Sequence, residues 1–103
     1  MKPVIDKAEV SIDFPDKFYI GSFGRRSGFE VDATGEEVLL KLIRPGQERR
    51  EVTMHLHYYL LADILAEMAE ALSKAPPIDQ AHREPLQDGA KALVKALQGK
   101  RRK

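Results

Sequence analysis

Arg25 and Arg26 are neighbours in the segment 24–28, which begins and ends with glycine. Because glycine tolerates positive φ, this segment is predicted to be a turn that carries its charged side chains outward. A guanidinium group binds phosphate through paired hydrogen bonds. Further cations that are candidates for the same surface are Lys17, Lys41, Arg44, Arg49 and Arg50. The sequence therefore offers a candidate phosphate-binding turn.

Aromatic residues lie among these cations, and single-stranded nucleic acid is bound by such a mixture, with cations for the backbone and aromatic faces for the bases. We predict phosphate contacts by Arg25, Arg26, Lys41 and Arg44, and base stacking on Tyr19 and Phe23. Acidic residues are interleaved with the cations, namely Glu30, Asp32, Glu36, Glu37, Glu48 and Glu51. On the alternative interpretation, Arg25 and Arg26 form a charged hairpin tip that discourages pairing between sheet edges.

The segment 20–24 matches the bare string I-G-x-x-G of the RNA-binding KH domain. In that domain the glycine loop joins two helices, whereas strand patterns flank the segment here. The glycines are therefore interpreted as positions of twist, bulge or close packing in a sheet.

Catalytic and metal-binding chemistry has little support in the sequence. His55 and His57 share one face of a strand, but a zinc site needs a third ligand, and nearby only Thr53 or distant carboxylates are present. The chain has no cysteine, no phosphate-binding loop and no G-x-S-x-G motif. We expect no enzyme activity, no metal and no cofactor.

The composition is that of a small globular protein, since 43% of the 103 residues are hydrophobic and 32% are charged. We expect a single domain over residues 1–103, with no signal peptide, no membrane span and a cytoplasmic location. Charge is uneven along the chain. Residues 1–74 carry 10 basic and 13 acidic side chains, and residues 75–103 carry 7 and 3, including a basic tail at 99–103. That tail is interpreted either as a nonspecific contact for acidic surfaces or as a solubilising terminus.

Apolar and polar residues alternate along five segments, which predicts β-strands. The segments are 8–14, 17–23, 29–32, 37–44 and 49–56. Turn-forming residues separate them, most strongly at Pro45 and Gly46. We expect an antiparallel sheet of four to five strands within residues 8–56.

Two helices are predicted after the strands. Apolar residues recur every three or four positions over residues 58–74. Prolines in the linker 75–79 end that helix, and a second one is predicted over residues 85–98, with Pro85 in its first turn and Gly99 after its end. The order of elements predicts an α+β fold with both helices packed on one face of the sheet. The first helix has a wide apolar stripe, which either the second helix or a second copy of the chain would cover.

A resemblance to a known family rests on three features in residues 17–74. These are the strand Phe18-Tyr19-Ile20-Gly21, the basic pair Arg25-Arg26, and the strand that ends at Arg44, followed by one more strand and an amphipathic helix. This arrangement resembles the positive cofactor four (Whirly-like) family of transcriptional coactivators. The resemblance implies a curved four-stranded sheet, dimerisation through the helix and binding of single-stranded DNA on the sheet. The positions it implies for nucleic-acid contact are Lys17, Arg25, Arg26, Lys41 and Arg44.

The sequence thus favours a homodimeric, non-enzymatic protein that binds single-stranded nucleic acid, and the resemblance implies a role associated with transcription. The alternative is a protein-interaction or structural homodimer with no nucleic acid.

Overall fold

The computed structural model describes residues 1–99 of the chain. Within them, six strands precede two helices. The strands are β1 (Lys2–Pro3), β2 (Ala8–Phe14), β3 (Lys17–Phe23), β4 (Gly28–Ala33), β5 (Glu37–Arg44) and β6 (Arg50–His57), and the helices are α1 (Tyr58–Lys74) and α2 (Gln80–Gly99). All strand pairs are antiparallel, and the predicted α+β class is confirmed. The predicted basic tail lies outside the described residues, apart from Gly99.

The main sheet has four strands in the order β1-β4-β5-β6. Short turns set its register. Between β4 and β5, the Thr34 hydroxyl accepts hydrogen bonds from the backbone N–H groups of Glu36 and Glu37 at 3.1 and 3.2 Å. Between β5 and β6, Gly46 adopts a φ of 118°, a conformation that favours glycine. The β5–β6 turn places Glu37 opposite His57 and Arg44 opposite Arg50.

Strands β2 and β3 form a separate two-stranded ribbon, with Pro15 and Asp16 in its turn. The predicted antiparallel sheet of four to five strands is confirmed as a four-stranded sheet, and β2 and β3, which were predicted to belong to it, lie outside it. After β3 the backbone turns sharply, with the Ser27 N–H bonded to the Gly24 carbonyl at 2.8 Å. Strand β4 then pairs with β5 and with the N-terminal strand β1, which the sequence pattern does not predict. Hence β3 and β4 are consecutive in sequence but lie in different sheets.

The two faces of the main sheet differ in chemistry because side chains of directly paired residues point the same way. One face, called here the apolar face, carries Phe29, Val31, Val38, Leu40, Leu42, Val52, Met54 and Leu56. The other, the charged face, carries Glu30, Asp32, Glu37, Lys41, Glu51, His55 and His57, together with Leu39 and the buried Ile43. The ribbon lies on the apolar side, since Val10 of β2 and several apolar-face residues line a common cleft.

Burial in residues 1–99 is sparse. The buried apolar side chains are Phe23, which is 1% exposed, and Ile43, which is 8% exposed. Phe23 lies beside Gly21, where an added β-carbon would be 3.6 Å from the phenyl ring and 3.7 Å from the Arg50 guanidinium. Arg50 also donates a hydrogen bond of 3.1 Å to the Ile20 carbonyl. This cluster of Ile20, Gly21, Phe23 and Arg50, called here the anchor, joins the ribbon to the main sheet.

Helix α1 has the predicted bounds and starts directly after β6. The Tyr58 hydroxyl at its first position donates hydrogen bonds to the carbonyls of Thr34 and Glu37, at 2.5 and 3.2 Å. These bonds tie the helix start to the β4–β5 turn, although the sequence shows no capping residue there. Neither of the helices within residues 1–99 is both long and apolar enough to cross a lipid bilayer.

The chain divides into two compact units, Met1–Glu67 and Met68–Lys103, and the boundary falls inside α1. Neither helix contains a buried side chain. Apolar residues of the predicted stripe of α1 are exposed, among them Leu60, Leu65, Met68 and Leu72. The apolar stripe of α1, which was predicted to be covered by the second helix or by a second copy of the chain, is thus largely exposed in the single chain.

Helix α2 begins at Gln80, five residues before the predicted start. The reason is Asp79, whose carbonyl accepts the N–H groups of His82 and Arg83, at 3.1 and 2.9 Å, so the helix begins directly after it. The Asp79 carboxylate also lies 2.5 Å from Nδ1 of His82. Pro85 is thus inside the helix, where its missing N–H leaves one carbonyl without a helical partner.

We expect the start of α2 to weaken in acid. The hydrogen bond from the His82 ring is the largest factor that lowers the pKa of Asp79 below its ordinary value of 3.8. A lowered pKa means that folding favours the ionised carboxylate, so this contribution is present above pH 3.8 and is lost as pH falls through the lowered value. NMR titration should place the Asp79 pKa below 3.8 in the native chain and closer to 3.8 in His82→Ala.

Asp79→Asn is the matched control, because asparagine is also a good capping residue but does not titrate in this range. This variant should retain the helical circular dichroism signal at neutral pH. It should lack the loss of helix that titration of Asp79 causes in acid. An unshifted Asp79 pKa in the native chain would contradict the assignment.

Candidate nucleic-acid interface

Five arginines are brought to one end of the main sheet. Arg25 and Arg26 occupy the turn before β4, and β4 begins at Gly28, which pairs with Ile43 of β5. The next residue of β5 is Arg44, which is paired with Arg50 of β6. The basic end is the name used here for Arg25, Arg26, Arg44, Arg49 and Arg50. Sequence spacing alone did not indicate that two separate turns meet at this end.

The arginines of the basic end differ in how they are engaged. Arg49 pairs with Glu51 at 3.0 Å, and Arg50 is held by the Ile20 carbonyl. In the part of the chain that the structure describes, Arg25, Arg26 and Arg44 are exposed and form no ion pair. Three guanidinium groups at the basic end are therefore free of carboxylate partners and accessible to an anion.

The two predicted lysines lie away from the basic end. Lys41 is on the charged face, 3.7 Å from the Glu51 carboxylate. Lys17 begins β3, six residues before Phe23, and a strand rises about 3.3 Å per residue. It therefore lies about 20 Å along the ribbon from Phe23 and the basic turn that follows it. The structure thus brings Arg25, Arg26 and Arg44 together but leaves Lys17 and Lys41 elsewhere.

The two aromatics predicted to stack on bases have opposite environments. The Tyr19 side chain is 52% exposed, and its ring meets Phe14 edge-on, with ring centroids 6.2 Å apart. Phe23 is 1% exposed, so its ring offers no face to a base. The prediction that Phe23 stacks is wrong, because its ring is buried in the anchor beside Gly21. Tyr19, on the same ribbon face, lies beyond that contact.

A charged cluster at the other end of the main sheet was missed from the sequence. The Glu37 carboxylate lies 3.0 Å from Nδ1 of His55 and 3.2 Å from Nε2 of His57. Register could have indicated this contact, since a hairpin closed at Pro45 and Gly46 places Glu37 opposite His57. No group of three or more His, Asp or Glu side chains in residues 1–99 has an arrangement suited to a metal ion. The cluster links β5 to β6 directly before α1.

Comparisons with known proteins add nothing to this geometry. Protein-family models, curated proteins and solved structures each yield no match to the chain. The functional argument therefore depends on the placement of the side chains themselves.

We expect Phe23→Ala to act through folding. Removing a buried phenyl ring typically costs about 3–5 kcal/mol, and here it would also empty the anchor that joins the ribbon to the main sheet. Urea unfolding at a fixed protein concentration should show this loss in the free energy of unfolding.

Phe14→Ala is the matched control in the same ribbon, since Phe14 is 46% exposed. It should cost less than about 1 kcal/mol, because much of its ring already contacts water. Equal losses in the two variants would contradict the distinction between the anchor and the outer part of the ribbon.

Proposed function

We propose that the chain binds single-stranded nucleic acid, with weak or no sequence preference, through the basic end. The observation that carries the proposal is the placement of Arg25 and Arg26, in the turn before β4, close to Arg44 at the end of β5; all three are exposed and form no ion pair within residues 1–99. Guanidinium groups in such a group contact successive phosphates and release counterions. The role is non-catalytic, transcription-associated and cytoplasmic.

The preference for single strands comes from Tyr19 in this proposal. Base stacking requires an unpaired base, and the Tyr19 ring is half exposed on the ribbon. Tyr19 lies four residues before Phe23, or about 13 Å from it along the strand. Lys17 extends the positive charge further along the ribbon. The resemblance of residues 17–74 to the positive cofactor four family points to the same ligand.

A second candidate function is a homodimeric protein-interaction module without nucleic acid. The large number of exposed apolar side chains in the single chain favours it, including Phe18, Ile20, Val31 and Met54. Glu48 and Glu51 next to the basic end also reduce its net positive charge. Both candidate functions include a homodimer, so a measurement of nucleic-acid binding distinguishes them.

The test is an Arg25→Ala/Arg26→Ala double variant titrated with labelled single-stranded and double-stranded oligonucleotides at several salt concentrations. We expect micromolar binding of the single strand by the native chain, which weakens steeply as salt rises. Loss of two phosphate contacts should reduce the slope of log K against log salt by about 1.4 for a single strand. Fluorescence anisotropy measures both quantities.

Lys91→Ala/Lys95→Ala is the charge-matched control, because it removes the same two charges from α2. It should leave both the affinity and the salt slope near their native values. Equal weakening by the two double variants would assign binding to overall charge, and the absence of any binding at low salt would reject the nucleic-acid proposal.

A further inference from the structure

The outer part of the ribbon projects beyond its support. The arm is defined here as residues 11–20, all of which are exposed. Within residues 1–99 the ribbon receives one side-chain hydrogen bond from the main sheet, from Arg50 to Ile20 at the inner limit of the arm. Beyond that point the two strands are held only by their mutual ladder, which is marginal for an isolated hairpin in water.

The two faces of the arm are not equivalent. Ile12, Phe14 and Tyr19 share the face that is continuous with the buried Phe23. Phe18 and Ile20 lie on the opposite face, and they are 59% and 63% exposed. Because that face points away from the main sheet of its own chain, the first compact unit offers no cover for these two side chains. They form an outward apolar pair beside Ser11 and Asp13.

The chain exposes more surface than a compact protein of its mass. The chain exposes 9018 Å², whereas a compact monomer of 11.6 kDa exposes about 5,800 Å². Even two separate compact bodies with the lengths of the two units would expose about 7,000 Å² together. The excess is on the order of 2,000 Å² per chain, compared with about 800 Å² per partner in a standard interface. An obligate dimer buries area of this order.

A receiving surface is present on the apolar face. A cleft of about 540 Å³ lies between β2 and the main sheet, and its apolar lining includes Val31, Leu40, Leu42 and Met54. A second cleft, of about 460 Å³, continues along Phe29 and Leu42. Val31 and Met54 remain exposed in the single chain. The apolar face therefore has room for large side chains that its own arm does not supply.

We propose that the arms are exchanged in a two-fold homodimer, so that Phe18 and Ile20 of each copy pack on the apolar face of the other. An isologous contact of this kind uses the same two surfaces twice and closes, which prevents open-ended association. It covers the outward pair and the exposed apolar-face residues together. The proposal rests on the homodimer proposed above and names its contact surface, and it does not require nucleic acid. Tyr19 stays on the uncovered side of the arm.

The first test compares Ile20→Asp with Ile12→Asp by sedimentation over a range of protein concentrations without nucleic acid. The two isoleucines lie on adjacent rungs of one ladder and on opposite faces. Ile20→Asp should raise the dimer dissociation constant at least about tenfold, because it places a charge in the contact. Ile12→Asp should change it by less than about threefold. Circular dichroism checks that both variants keep the fold.

The second test uses cysteine pairing, for which the chain is suited because it contains no cysteine. Ile20→Cys and Met54→Cys are placed in two differently tagged chains, mixed and oxidised. Since each chain has one cysteine, a disulfide between the two tags reports a contact between copies. The pair Ile12→Cys with Met54→Cys is the control, and it should link much more slowly.

The outcomes separate the alternatives. A native chain that is monomeric at 100 micromolar rejects both the homodimer and the arm exchange, and assigns the apolar face to a different occupant. A dimer that is unaffected by Ile20→Asp and forms no link between positions 20 and 54 rejects the arm exchange while retaining the homodimer, as expected for contacts through α1. Failure of oligonucleotide binding leaves the arm exchange unaffected.

Discussion

The contact between the ribbon and the main sheet at Phe23 and Arg50 is the constraint on which the structure of the first unit depends. It combines the most buried side chain of residues 1–99 with a guanidinium that donates to a ribbon carbonyl. Without it, β2 and β3 would be an isolated hairpin and the apolar face would lose its partial cover. The basic end depends on it as well, because Arg50 is a member of both groups, and the turn with Arg25 and Arg26 follows directly after Phe23.

Local patterns predicted the elements well and their assembly poorly. Alternation located β2, β3 and β5 with correct bounds, and the 3.6-residue period located α1, because these signals lie within one segment. The division into two sheets was not predictable from alternation, since it depends on the direction the chain takes after Gly24. Helix α2 was predicted to start late because proline was given more weight than the capping aspartate before it.

In the candidate site, too, local sequence patterns do not show which side chains are buried and which share a surface. Tyr19 and Phe23 stand at alternate positions of one strand face, and no local signal distinguishes them. Which ring is covered depends on where the ribbon meets the main sheet, and that contact lies near Arg50, beside Ile20 and Gly21. Likewise, Lys41 and Arg44 are three residues apart in one strand and thus lie on opposite faces of the main sheet. A ligand bound to one face would therefore not contact both side chains. Glu37 meets two histidines through the β5–β6 register, which depends on a turn of five residues.

The order of the strands along the chain also bears on how the protein is made. The pairs β2–β3, β4–β5 and β5–β6 each join neighbours in sequence, so they form with little loop-closure entropy. The bond from Arg50 to Ile20 instead spans thirty residues. Arg50 belongs to the last strand, so during synthesis the ribbon emerges well before the strand that holds it. Until β6 is complete, the growing chain carries a hairpin with uncovered aromatic side chains, and prompt synthesis of the next thirty residues limits its exposure to aggregation.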